Sequence, residues 1–190
     1  MSSKKRLIVG MSGASGAPLT IELLSRLREN PAVETHLIVT RGAMLTLEQE
    51  TALSYEDLCA LADIIYDKDS IGERPASGSF RTIGMIVIPC SMKTVAGIAC
   101  GYSDNLLLRA ADVTLKERRK LVLVARETPL STLHLRNLYE VSKLGAMIMP
   151  PVPAYYRRPE TIEDATRDTV SRILDQFDLN REEDYEWTGI

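Results

Sequence analysis

The chain has 190 residues, 45% of them apolar and 26% charged, with a formal net charge of −3. That is enough chain to bury one core without disulfide or metal staples. The acidic balance and an aromatic content of 5% weigh against a nucleic-acid surface or electrostatic attachment to an anionic membrane.

Cys59, Cys90 and Cys100 are odd in number and lack the spacing of zinc ligands or a redox pair, and two histidines exclude a histidine-rich metal centre. Free thiols fit a reducing, cytoplasmic setting. The apolar run after Lys4-Lys5-Arg6 is too short for a signal peptide, and no run approaches the roughly 20 apolar residues of a membrane span.

The first predicted strand, Lys5-Arg6-Leu7-Ile8-Val9, stops at the small-residue turn Gly10-Met11-Ser12-Gly13-Ala14-Ser15-Gly16-Ala17. Such a turn lets backbone N–H groups approach an anion at a helix N-terminus, with Ser12 and Ser15 as further donors. It matches neither the dinucleotide fingerprint nor a Walker A loop, and an ordinary tight β–α turn accounts for it equally well. Apolar spacing predicts a helix over 19–27, a strand over 33–40 and a helix over 44–62 broken at Ser54, whose cap partner is Asp57. Residues 67–79 read as a loop, and 84–89 as a strand buried on both faces. A helix over 104–119 and a buried strand over 120–125 follow. Thr128 with Pro129 opens a helix to Lys143. A short strand over 146–149 and a helix over 160–177 end the pattern. Five strands alternating with helices predict an α/β doubly wound parallel sheet, Rossmann- or flavodoxin-like, with helices on both faces and one domain over 1–190.

Ligands of such sheets sit beyond the carboxyl ends of the strands. Those ends carry Ser12–Ser15, Thr40-Arg41, Pro89-Cys90-Ser91-Met92-Lys93-Thr94, Arg126-Glu127 and the segment Pro150-Pro151-Val152-Pro153-Ala154-Tyr155-Tyr156-Arg157-Arg158. Hydroxyls and cations gathered on one edge of an acidic protein favour a ligand that bears phosphate.

The ordered motifs Gly13-Ala14-Ser15-Gly16-Ala17, Pro75-Ala76-Ser77-Gly78-Ser79, Pro89-Cys90-Ser91-Met92-Lys93-Thr94, Arg109-Ala110-Ala111-Asp112-Val113 with Lys116-Glu117-Arg118, Arg126-Glu127 and Ala154-Tyr155-Tyr156 closely resemble those of UbiX-type flavin prenyltransferases. These include the small "B" subunits that accompany aromatic-acid decarboxylases. The resemblance spans nearly the whole chain. It implies metal-independent transfer of a dimethylallyl group from dimethylallyl phosphate to N5 and C6 of reduced FMN, giving prenylated FMN for a UbiD-type decarboxylase. It also implies a dodecamer with active sites at subunit contacts.

Carried over motif by motif, the resemblance implies that Gly13, Ala14, Ser15, Thr40, Ser91, Met92, Lys93, Thr94 and Arg126 hold FMN. Arg109, Lys116, Tyr156, Arg172 and Trp187 would bind the prenyl phosphate, and Glu127, Lys116 and Arg126 would act in catalysis. Taken singly these residues read more blandly: Arg109, Lys116 and Arg172 as solvated helix faces, Arg126-Glu127 as a surface pair, Tyr155-Tyr156 as packing on a stiff loop. His134 reads as structural and Cys90 as an apolar filler. Two positions depart from the family pattern: Ile71 stands roughly where some members have a tryptophan, and Arg136 where a glutamate is common. The competing functions are an FMN-dependent cysteine decarboxylase of the same fold and a non-catalytic FMN-binding accessory or electron-transfer protein.

Overall fold

In the computed structural model, which describes residues 4–180, six strands form one all-parallel sheet in the order β3-β2-β1-β4-β5-β6. The strands are β1 (Lys5–Met11), β2 (Val33–Val39), β3 (Ile64–Tyr66), β4 (Gly84–Cys90), β5 (Lys120–Ala125) and β6 (Met147–Ile148). Between and after them run α1 (Ala17–Arg28), α2 (Arg41–Glu50), α3 (Tyr55–Cys59), α4 (Met92–Ala99), α5 (Leu106–Lys116), α6 (Thr132–Lys143) and α7 (Ile162–Asp175). The doubly wound α/β architecture is as expected. The strand order reverses between β1 and β4, which opens a crevice at their carboxyl ends.

Alternation along the central strands divides the core between two faces. Leu7, Val9 and Met11 of β1 pack with α1 and α7 through Leu23, Leu24, Leu27, Ile173 and Leu174. Ile8, with Met85 and Val87 of β4, packs on the other face against Val95, Leu107 and Ala111 of α4 and α5. Helices α1, α2, α3 and α7 thus cover one face, and α4, α5 and α6 the other.

Three local expectations need correction. The helix expected over 44–62 gives way after α3 to a sixth strand, β3, whose three residues are too few to show a strand period. The break at Ser54 is present, as a capping box with Asp57. Residues 91–99 hold a full helix, α4, where only a turn was expected. Helix α6 begins at Thr132, because Ser131 and His134 form a reciprocal cap that outcompetes Thr128 and Pro129. His134 is therefore a structural residue.

Candidate functional site

The crevice between β1 and β4 is lined by hydroxyls fixed to the backbone. The buried Ser12 Oγ donates to the Pro89 carbonyl at 3.0 Å and accepts from the Ser91 amide at 2.8 Å. Ser91 caps α4, accepting from the Thr94 amide, and its Oγ lies 3.1 Å from Thr94 Oγ1. The first-turn amides of a helix have no partner within the helix, so Met92 and Lys93 present N–H groups at the positive end of α4. Thr40 caps α2 in the same way, and its amide donates to Met11 at 3.0 Å, which ties the β2 end to the β1 end. Arg126 leaves β5 beside this cradle, its amide donating to the Cys90 carbonyl at 3.1 Å. Cys90 is fully buried and burial pushes its thiol up, as suits a filler and not a nucleophile.

At Gly13 the loop after β1 touches the first turn of α2 backbone to backbone. A Cβ on Gly13 would stand 2.8 Å from the Gly42 carbonyl carbon, so no side chain fits. The turn departs from expectation in one respect. The amides of Gly16 and Ala17 both donate to Glu50 Oε2 at 2.8 Å. The carboxylate at the end of α2 fills the anion position at the α1 N-terminus, so these two amides are satisfied within the chain. Burial alone would push the Glu50 carboxyl up. The Ser15 hydroxyl, the two amides and the nearby Arg126 overcome that and hold it below the ordinary carboxylate value. Sequence reasoning missed Glu50; more than thirty residues separate it from the turn, and only the packed fold joins them.

Gly13, Ala14, Ser15, Thr40, Ser91, Met92, Lys93, Thr94 and Arg126 therefore share the carboxyl edge of the sheet, with Glu127 next in the chain. Glu127 is exposed and accepts from the Thr128 amide at 3.1 Å. The other site candidates do not join them in one chain. Lys116 ends α5 at the opposite edge: its ammonium lies against Gly78 and pairs with Glu117, and Arg119 donates to the carbonyls of Gly78 and Phe80 just before β4. A six-residue strand rises about 20 Å, which separates Lys116 from Arg126. Arg109, paired with Asp112 at 2.6 Å, is on the same helix as Lys116. Tyr156 and Arg172 belong to the face covered by α7, and both are exposed. Trp187 lies outside the described residues.

The crevice suits a flavin mononucleotide: one helix N-terminus, two capping hydroxyls and one arginine match a single phosphate. Among the described residues, no group of three or more His, Cys, Asp or Glu could hold a metal, and no helix is long and apolar enough to cross a membrane.

The family model for flavoproteins matches residues 1–178. The flavin prenyltransferase UbiX of Escherichia coli (strain K12) is 51% identical over 187 residues, covering 97% of this chain and 99% of the relative. The crystal structure of AnUbiX (PadA1) in complex with FMN and dimethylallyl pyrophosphate superposes with a TM-score of 0.95 at 49% identity, covering 98% and 99% of the two chains. That of a dodecameric FMN-dependent UbiX-like decarboxylase from Escherichia coli O157:H7 gives 0.94 at 54% identity, covering 97% and 100%. With a matching sheet and relatives alike over nearly their whole length, this chain belongs to the UbiX-type flavin prenyltransferases.

Proposed function

We propose that the chain transfers a dimethylallyl group from dimethylallyl phosphate to N5 and C6 of reduced FMN, and that the prenylated flavin serves a UbiD-type decarboxylase. The cradle at the β1/β4 crevice carries this reading. The hydroxyls of Ser12, Ser91 and Thr94 converge there on the α4 N-terminus beside Arg126.

Reduced FMN, as the acceptor, supplies a nucleophilic N5 and C6. The chain's own residues do the rest. Ser91, Thr94 and the α4 amides hold the flavin phosphate. Arg126, Lys116, Arg172 and Tyr156 stabilise charge on the departing phosphate, the task a metal performs in other prenyl transfers. Glu127 gives a proton to a phosphate oxygen and, once ionised, accepts the proton lost at the prenylated ring carbon.

Lys116 sits at the far edge of the sheet, Arg109 about 10 Å before it along α5, and Arg172 on the other face. They reach the crevice from neighbouring copies in a homo-oligomer of the kind named for the Escherichia coli O157:H7 relative. The exposed apolar residues Leu130, Leu133, Leu135 and Tyr139 on and beside α6, with Val152, Tyr155 and Ile162, supply a surface for such contacts. The free thiols Cys59, Cys90 and Cys100 suit a cytoplasmic protein.

The test is anaerobic single turnover of reduced FMN with dimethylallyl phosphate in EDTA, with mass analysis of the flavin. The expected product is FMN carrying one cyclised five-carbon unit. Glu127→Gln should bind FMN normally and slow product formation by about 10²–10⁴-fold. Recovery of unmodified FMN from the wild-type protein would sink this reading.

A further inference from the structure

We propose that Asp168 is a positioning residue for the prenyl donor, because its ion pair with Arg157 fixes Tyr156 against the helix that carries Arg172. The inference rests on the reading of Tyr156 and Arg172 as donor-binding residues. It adds how the two come to act together.

The segment 149–160 leaves the sheet early. The Met149 amide still donates to Leu123 at 2.9 Å, and beyond it the backbone forms, among the described residues, the single 3-10 turn Tyr155–Arg157. The bonds of that turn, Arg157 to Ala154 and Arg158 to Tyr155, are local and close no long loop. Arg158 has a left-handed backbone, φ 52, which costs a non-glycine residue energy and needs support from outside the turn. Core burial does not provide that support: Tyr155 is 80% exposed and Tyr156 66%.

A long-range tie does. Arg157 Nη1 lies 2.6 Å from Asp168 Oδ1 of α7, and both side chains are only 21% exposed. A pair so shielded, with a charge-assisted hydrogen bond, holds geometry better than a solvated surface pair. Asp168 and Arg172 are four residues apart, so they stand one turn apart on the same helix face. The tie therefore places the residue after Tyr156 one turn from Arg172. Neutralised by Arg157, the Asp168 carboxylate can sit near a phosphate site without repelling it.

The experiment measures steady-state prenylation and FMN affinity in the full-length protein and its Asp168→Asn, Asp168→Glu and Arg157→Gln variants, and trypsin cleavage after Arg157 in the first three of these four proteins. Asp168→Asn and Arg157→Gln should each raise the KM for dimethylallyl phosphate about tenfold, with kcat within about twofold and FMN affinity unchanged. Asp168→Asn should also be cut faster after Arg157, and Asp168→Glu should restore most of both properties. An unchanged or lowered KM in Asp168→Asn would overturn the proposal, as would equal loss of FMN binding. Faster cleavage with an unchanged KM would also overturn it, since the tie would then hold a segment that does not serve the donor. If instead the wild-type protein makes no prenylated flavin, the reading of the whole site fails; the cleavage comparison still reports on the tie itself.

Discussion

Glu50 shows how one residue can redirect a site. A strand, a small-residue turn and a helix ordinarily offer an anion the free amides of the helix start. Here the protein supplies its own anion, and Gly16 and Ala17 are satisfied before any ligand arrives. Because the Glu50 carboxyl is held below its ordinary value, its charge stabilises the fold above the usual carboxylate range. That contribution is lost as pH falls through the depressed value. Glu50→Gln keeps an acceptor oxygen and loses the charge. Urea unfolding should show the variant about 1 kcal/mol less stable at neutral pH, with the gap closing in acid. A gap that stays constant across the acid range would mean that shape and not charge matters at this position. His36 adds a second acid-sensitive term. It is wholly buried between Tyr66 and Glu34, and burial, opposed by Glu34, lowers its affinity for a proton. Its cost appears as pH falls below about 6.5, where the unfolded chain protonates first.

Among the elements, α4 is tied most directly to the carboxyl ends of the central strands. Its cap, Ser91, is itself held by Ser12, whose hydroxyl also ties β1 to the Pro89 carbonyl. Ser12→Ala leaves the half-buried Ser91 amide without that partner and the Pro89 carbonyl with only the Ser12 amide. It should cost about 1–3 kcal/mol in unfolding free energy and weaken FMN binding in a fluorescence titration. Unaltered FMN affinity would show that α4 is positioned without this link. Ser12, Ser91 and Thr94 were legible in the sequence because strand ends are where a parallel sheet keeps its ligands. The helix α4 was not, since Thr94, Val95 and Gly97 are poor helix formers and its helicity comes from packing Val95 and Ile98 into the core. Strand β3 escaped notice because its three residues carry too little pattern, while Thr35 and Asp63, joined by three hydrogen bonds, hold its start in place. The resemblance groups Lys116 with Arg126 in one site, but sequence order cannot show that the two lie at opposite ends of β5.

At the scale of the molecule, the apolar surface of α6 asks for a partner. Only Val141 of that helix is buried, while Leu133, Leu135 and Tyr139 are more than half exposed. Replacing the i,i+4 pair by Leu135→Glu and Tyr139→Glu should leave the folded chain intact. The assembly should shift to smaller species in light scattering, with prenylation lost in parallel. An assembly of unchanged size would show that this face does not join copies.

The distance between Arg126 and Lys116 has a genetic meaning as well. When one flavin draws its arginine from one copy and its lysine from another, the defects in Arg126→Ala and Lys116→Ala subunits fall on different partners. Two inactive proteins, coexpressed so that their subunits mix, should yield an active one, because some sites then receive the intact arginine and the intact lysine together. Random one-to-one mixing would restore about a quarter of the sites. A chain that built each site alone would show no such recovery.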